Sequence, residues 1–73
     1  MPILPQRLKE IRKAKNVSQK QVGEAIGIDE RNYRGYENAE TDPTTAFAAR
    51  IADYFEVSID YLVGRTDNPN INH

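Results

Sequence analysis

The stretch Ala25-Ile26-Gly27-Ile28-Asp29-Glu30-Arg31-Asn32-Tyr33-Arg34-Gly35-Tyr36-Glu37 decides how this chain folds. One apolar-periodic segment ends at Gly27, and another starts two residues later behind Asp29, a side chain suited to cap a helix. So short a connection forces a sharp crossing of two helices. Glycine takes the left-handed backbone of such a turn without steric penalty. Gly23, one helical turn upstream, leaves room for the second helix to pack closely. The spacing predicts a helix-turn-helix.

Working outward, the same start signal recurs. Val17-Ser18 precede Gln21 and Val22, so Ser18 caps, Gln21 closes a capping box and Val17 staples to Val22. Ile28-Asp29 stand in the same relation to Tyr33, and Val57-Ser58 to Leu62. Thr44, after Pro43, is the cap of a further helix whose stripe is Phe47, Ile51, Tyr54 and Phe55, with Ala48 and Ala52 allowing close approach. Leu4, Leu8 and Ile11 mark a first helix, with Pro5 in its first turn and a stop near Lys15-Asn16. No sustained alternation or hairpin turn supports a strand. The prediction is an all-α fold of five helices over 3–15, 18–26, 29–37, 44–55 and 58–63. Residues 1–66 form one domain, and a flexible tail follows over 67–73.

Seventy-three residues without cysteine hold neither a disulfide nor a thiolate metal site. The lone histidine, His73, is terminal, and no Gly-rich phosphate loop or metal-ligand cluster is present, so neither an enzyme, a cofactor nor a small-molecule substrate is expected. Asp53 and Glu56 lie three apart on the fourth helix and read as a solvated face. No signal pattern or membrane-length apolar run occurs, which predicts a cytoplasmic protein with no membrane contact. The net charge of −1 hides an asymmetry. Residues 1–36 carry eight Lys/Arg and four acids, whereas residues 37–73 carry two and seven. A polyanion responds to such a local patch within a Debye length of about 8–10 Å.

With Val22, Ile26, Ile28, Tyr33 and Tyr36 turned inward, the third helix leaves Glu30, Arg31, Arg34 and Asn38 outward. Arginine forks onto guanine and asparagine pairs with adenine. A solvated face is the bland alternative. Asp29 serves the helix N-terminus. Glu30 reads either as a plain first-turn acid or as an acceptor for cytosine N4. Gly35 reads as a mild helix defect, or as a place where backbone approaches a phosphate.

Ser18 through Glu37 (SQKQVGEAIGIDERNYRGYE) resembles the helix-turn-helix of the phage-repressor and Cro-like family, also called the XRE family. The similarity runs from about Gln6 to Asp67. Ser18-Gln19, Gly27-Ile28, Tyr36-Glu37, Pro43 and VSIDYLVGRTDNP (Val57 to Pro69) carry it. The last segment resembles small regulators and prophage repressors of low-GC Gram-positive bacteria. The resemblance implies a lambda-repressor-like five-helix DNA-binding domain. It places Gln19 on the phosphate backbone and as a buttress of the recognition helix, Glu30, Arg31, Asn32 and Arg34 on bases or flanking phosphates, and Asn38 at the helix exit against the backbone. The neighbouring Lys20 is a further candidate DNA contact. It pairs Arg12 with Glu37 as a structural ion bridge, which removes Arg12 from the phosphate-facing cations. The chain departs from the family where Asn38-Ala39-Glu40-Thr41-Asp42 replaces a more basic loop. Gly35 cannot supply the side chain that often reads a base, and Tyr33 stands where a smaller aliphatic is usual, its hydroxyl expected to reach outward.

The expected function is a sequence-specific DNA-binding transcriptional regulator, a repressor of phage or mobile-element type. Its partner is double-stranded DNA with a palindromic operator, bound by a homodimer whose half-sites lie about 34 Å apart. Ile59 and Leu62 are the candidate dimer patch, with the core as their other reading. The rival is a protein-interaction module, an antitoxin or anti-repressor on the same fold, motivated by the acidic second half.

Overall fold

The four polar residues named as caps each start a helix in the way their chemistry dictates. Ser18 Oγ accepts from the Gln21 amide while Gln21 Oε1 accepts from the Ser18 amide, at 3.0 and 2.7 Å. Asp29 accepts from Asn32, Thr44 from Phe47 and Ser58 from Tyr61, at 2.9, 3.2 and 3.0 Å. Each satisfies a donor that the helix itself leaves orphaned, worth about 1 kcal/mol. The computed structural model describes residues 3–70, which form α1 (Leu4–Ala14), α2 (Gln19–Ile26), α3 (Glu30–Glu37), α4 (Thr45–Phe55) and α5 (Ile59–Leu62). Among the described residues there is no strand. The observed helices begin one residue inside the predicted bounds wherever a cap opens them, because a capping residue is extended rather than helical.

Leu8 and Ile11 of α1, Val22 and Ile26 of α2, Tyr33 and Tyr36 of α3, Ile51 and Phe55 of α4, and Leu62 of α5 meet in one core. Of the three staple residues, Val17 and Ile28 pack against its rim and Val57 lies within it. Gly27 closes α2 in the left-handed region (φ 91°), and its amide donates to the Gly23 carbonyl at 2.9 Å. A Cβ built on Gly23 would lie 3.0 Å from the Ile28 carbonyl oxygen and 3.3 Å from the Asp29 backbone. The turn therefore rests directly on α2, and backbone yields less readily than a side-chain tip. Gly23→Ala should be near neutral, because a gain of up to about 1 kcal/mol in helix propensity opposes that contact. Gly23→Val should lower the unfolding free energy by roughly 1–3 kcal/mol through overpacking. Urea midpoints of the two variants check the difference, and equal midpoints would mean the turn lifts freely off α2.

Three expectations are corrected here. Tyr54 is 39% exposed and stands outside the stripe of α4, its ring edge-on to Phe55 with centroids 5.0 Å apart. Leu62 is fully buried and belongs to the core, so it is unavailable to a dimer patch. The segment after Gly64 does not hang loose through residue 70. Arg7 of α1 donates to the carbonyls of Tyr61 and Thr66 and to the Asp67 carboxylate, and its guanidinium lies 4.1 Å from the centre of the Tyr61 ring. The Ser58 amide donates to the Pro69 carbonyl at 3.0 Å. Such ties leave no mark on helical period, because they come from a single long side chain and one amide. The remainder of the expected tail, with His73, lies outside the described residues.

Candidate nucleic-acid interface

The face of α3 turned away from the core follows from helical spacing. At about 100° per residue, Glu30, Arg34, Asn38 and Arg31 fall in one arc opposite Tyr33 and Tyr36. Asn32 lies roughly another 100° beyond Arg31, past Gly35, so it shares the helix but not the arc. Arg31, Asn32, Arg34 and Asn38 are exposed and Glu30 is half-buried. The Arg31 side chain makes no hydrogen bond or ion pair to any described residue. Lys20 is exposed on α2, and Gln19 is half-buried at its start.

Beneath this face lies the pair the resemblance assigns as structural. Arg12 Nε and Nη2 donate to the two Glu37 oxygens at 2.7 and 3.2 Å, and Arg12 Nη1 donates to the Val17 carbonyl at 3.1 Å. Glu37 is 1% exposed, so a lone charge there would be strongly penalised. Burial pushes its carboxyl up, but the hydrogen bonds from Arg12 and Gln19 and the charge of Arg12 outweigh it and hold the group below its ordinary value. The hydrogen bond with Glu37 correspondingly raises Arg12. Such a pair fixes position more than it stabilises.

Gln19 extends the arrangement outward. Its Nε2 donates to Glu37 at 3.1 Å and its Oε1 accepts from Arg34 Nε at 3.2 Å. The amide orientation follows from chemistry, since a carboxylate only accepts and a guanidinium only donates. Arg34 Nη2 meets Glu30 Oε2 at 3.1 Å, an i,i+4 pair whose side chains are 49% and 43% exposed. The structure thus brings Arg12, Glu37, Gln19, Arg34 and Glu30 into one chain of contacts from the interior to the open arc. Lys20, Asn32 and Asn38 stand outside it.

Two expectations about α3 change. The Tyr33 hydroxyl does not reach outward, because the residue is fully buried. Among the described residues that oxygen has no partner in bonding geometry, and burial, then the neighbouring Glu37 carboxylate, push its ionisation far up. Gly35 does not face open space. A Cβ there would sit 3.2 Å from Thr41 Cγ2 and 3.7 Å from Glu40 Oε1, and its carbonyl accepts from the Glu40 amide at 2.9 Å. Gly35 is where the acidic loop folds back on α3, which puts Glu40 beside the exposed arc.

Sequence reasoning overlooked two arginines. Arg7 is consumed by the C-terminal segment and withdraws from the N-terminal basic patch, as Arg12 does. Arg50 donates to the Ile26 carbonyl at 3.1 Å, bonding the last carbonyl of α2 just before the turn, with its guanidinium 5.4 Å from the centre of the Phe47 ring. The Phe47–Arg50 spacing of one helical turn was the available signal. Glu30 preceding Arg34 by four residues was a plainer one.

Among the described residues no group of side chains could hold a metal ion, and no helix is long and apolar enough to cross a membrane. The model of a family described as helix-turn-helix, HTH_3, matches residues 8–62. The cryptic phage CTXphi transcriptional repressor RstR of Vibrio cholerae serotype O1 (strain ATCC 39315 / El Tor Inaba N16961) is 44% identical over 62 residues, 85% of this chain and 55% of that protein. The uncharacterised HTH-type transcriptional regulator YobD of Bacillus subtilis (strain 168) is 38% identical over 65 residues, 89% of this chain and 58% of that protein. The chain thus spans little more than half the length of these curated relatives. In fold it is similar to the P22 c2 repressor, whose crystal structure is a complex with synthetic operator 9T. The TM-score is 0.81 at 22% identity, over 86% of this chain and 96% of that one.

Proposed function

Because this chain belongs to the helix-turn-helix family, of XRE type, we propose that it is a sequence-specific DNA-binding transcriptional regulator, a repressor of phage or mobile-element type. The observation that carries this reading is the open arc of α3, where Arg31 and Arg34 stand exposed on a helix held at a fixed angle by the Gly27 turn. An arginine-bearing helix of this kind enters a major groove with its guanidiniums toward base edges and phosphates. Gln19, Lys20 and Asn38 flank the arc at the ends of α2 and α3, where they suit the phosphate backbone. Asn32, off the arc, suits a flanking contact rather than a central base.

A palindromic operator bound by two copies belongs to the same proposal, since one short helix reads only a few base pairs. Of the two residues named for pairing, Ile59 remains, 38% exposed beside the exposed Val63 and Ile3. The reading places the protein with cytoplasmic DNA and gives it no catalytic role. The regulator names of RstR and YobD support it, as does the family match.

Selection from a random duplex pool tests this. One enriched motif with two-fold symmetry is expected. An unenriched pool, with salt-independent capture of a protein partner, would establish the interaction-module reading instead. Replacing Arg31 by Ala should weaken binding to the selected site by about 1–3 kcal/mol. Titration against the site and its single-base variants measures that loss and shows whether it is uniform, as for a phosphate contact.

A further inference from the structure

We infer, resting on the DNA-binding reading above, that Arg34 is the pre-oriented guanine-reading residue and that Glu30 is a positioning residue for it, making no base contact of its own and completing the support that the buttressing Gln19 begins. The protein occupies one edge of the Arg34 guanidinium and leaves the other open. Arginine offers five N–H donors in a rigid plane. Arg34 Nε donates to Gln19 Oε1 at 3.2 Å and Nη2 to Glu30 Oε2 at 3.1 Å. Those two nitrogens lie on the same side edge of the plane. The opposite fork, formed by Nη1 and the remaining hydrogen of Nη2, stays open to a pair of acceptors. Guanine O6 and N7 are such a pair in the major groove.

The two acceptors differ in what holds them. Gln19 is anchored from below, because its Nε2 bonds the buried Glu37 carboxylate that Arg12 also grips. Glu30 sits one turn before Arg34 on the same helix, so its reach is set by helical geometry. Between them they limit the rotation of the guanidinium plane. The Arg31 side chain, with no partner among the described residues, loses its rotamer freedom on binding. A phosphate, which accepts from many directions, suits a side chain held that loosely. The apparent penalty of an acid on a DNA-facing arc is thereby explained. Glu30 lowers raw affinity for any polyanion while favouring the one orientation in which Arg34 discriminates.

The inference is tested on the site that selection yields, by titrating the full chain against that site and each single-base-pair variant. Arg34→Ala should flatten the preference at one guanine position by about tenfold or more. Glu30→Ala should reduce the preference at that same position, by roughly threefold, while raising affinity for unrelated duplex. Glu30→Gln keeps an acceptor for Nη2 and should recover most of the lost preference, a rescue that a purely electrostatic role would not give. Circular dichroism confirms that each variant remains folded. Loss of preference at a different base pair in Glu30→Ala would make Glu30 itself a base reader and overturn the inference. A uniform gain in affinity with the preference intact would overturn it too. Failure of the wild-type chain to enrich any site would reject the regulator reading and the inference with it, and is distinguished by occurring before any variant is compared.

Discussion

Replacing Glu37 by alanine should cost this domain about 3–5 kcal/mol of stability, because it leaves the Arg12 guanidinium largely buried without its counter-charge. The Arg12 side chain is 17% exposed and Glu37 is 1% exposed, so water can do little to replace the lost carboxylate. A 73-residue domain has on the order of 4–11 kcal/mol in total. The variant should therefore unfold at a much lower urea concentration, and thermal melting should move down with it. Glu37 also holds Gln19, so the loss spreads to the face of α3. A midpoint within error of wild type would show that Arg12 finds another partner, for which the Val17 carbonyl is the candidate already in place.

The same carboxylate sets a direction for acid stability. Its pKa is lower in the folded protein than in the unfolded chain, so the unfolded state binds the proton more readily. The stabilisation is complete above the ordinary carboxylate value of about 4.3 and disappears as pH falls through the depressed folded value. Wild type should lose this contribution across that acid interval, whereas Glu37→Gln, which has nothing to protonate there, should not. Urea unfolding at a series of pH values compares the two slopes. Parallel slopes would mean that acid acts through other carboxylates.

The second large effect is the salt dependence of DNA binding. Arg7 and Arg12 are committed to internal partners and Arg34 to Glu30 and a base, which leaves Lys20 and Arg31, with the exposed Lys9, Lys13 and Lys15 before α2, as the candidate phosphate contacts. If two copies together neutralise roughly six phosphates, log K should fall with a slope of about −5 against log salt. Affinity then drops about 10³-fold between roughly 50 and 200 mM salt. Lys20→Ala should make that slope shallower by about one unit per copy. Arg7→Gln should leave it unchanged, however much it loosens the C-terminal segment. A slope altered by Arg7→Gln would put that residue back on the phosphate backbone. A flat profile in the wild type would remove the groove-docking picture altogether.

What was legible in this sequence were the features with a local cause. Ser18, Asp29, Thr44 and Ser58 cap because a short polar side chain satisfies amides three residues ahead, and that requires no knowledge of the fold. Gly27 bends the chain because of its own φ of 91°. The inward seam of Val22, Ile26, Tyr33 and Tyr36 follows from helical period and is buried as expected. Tyr54 and Leu62 mark the limit of that argument. Period ranks both as apolar and inward-leaning, but it does not say where a stripe ends or how far a four-residue helix sinks. Tyr54 lies at the edge of its stripe and Leu62 at the centre of the core.

Charge was the least legible property. Composition placed eight cations in the first half of the chain, but it could not say which are occupied. Arg7 reaches Asp67 across 60 positions of sequence, and Arg12 reaches Glu37 across 25. Arg34 is tied to Gln19, 15 positions before it. Gly35, readable from sequence as a defect or a ligand contact, is instead the seat of Thr41 and Glu40.

The sequence by itself determined the five helices, their starts and the helix-turn-helix, since caps, staples and a left-handed glycine act over three to five residues and carry their geometry with them. Only the tertiary structure decided which charges remain available to a partner and how Arg34 is turned. Those outcomes depend on side chains far apart in the chain coming within about 3 Å, a distance that packing sets and local pattern cannot.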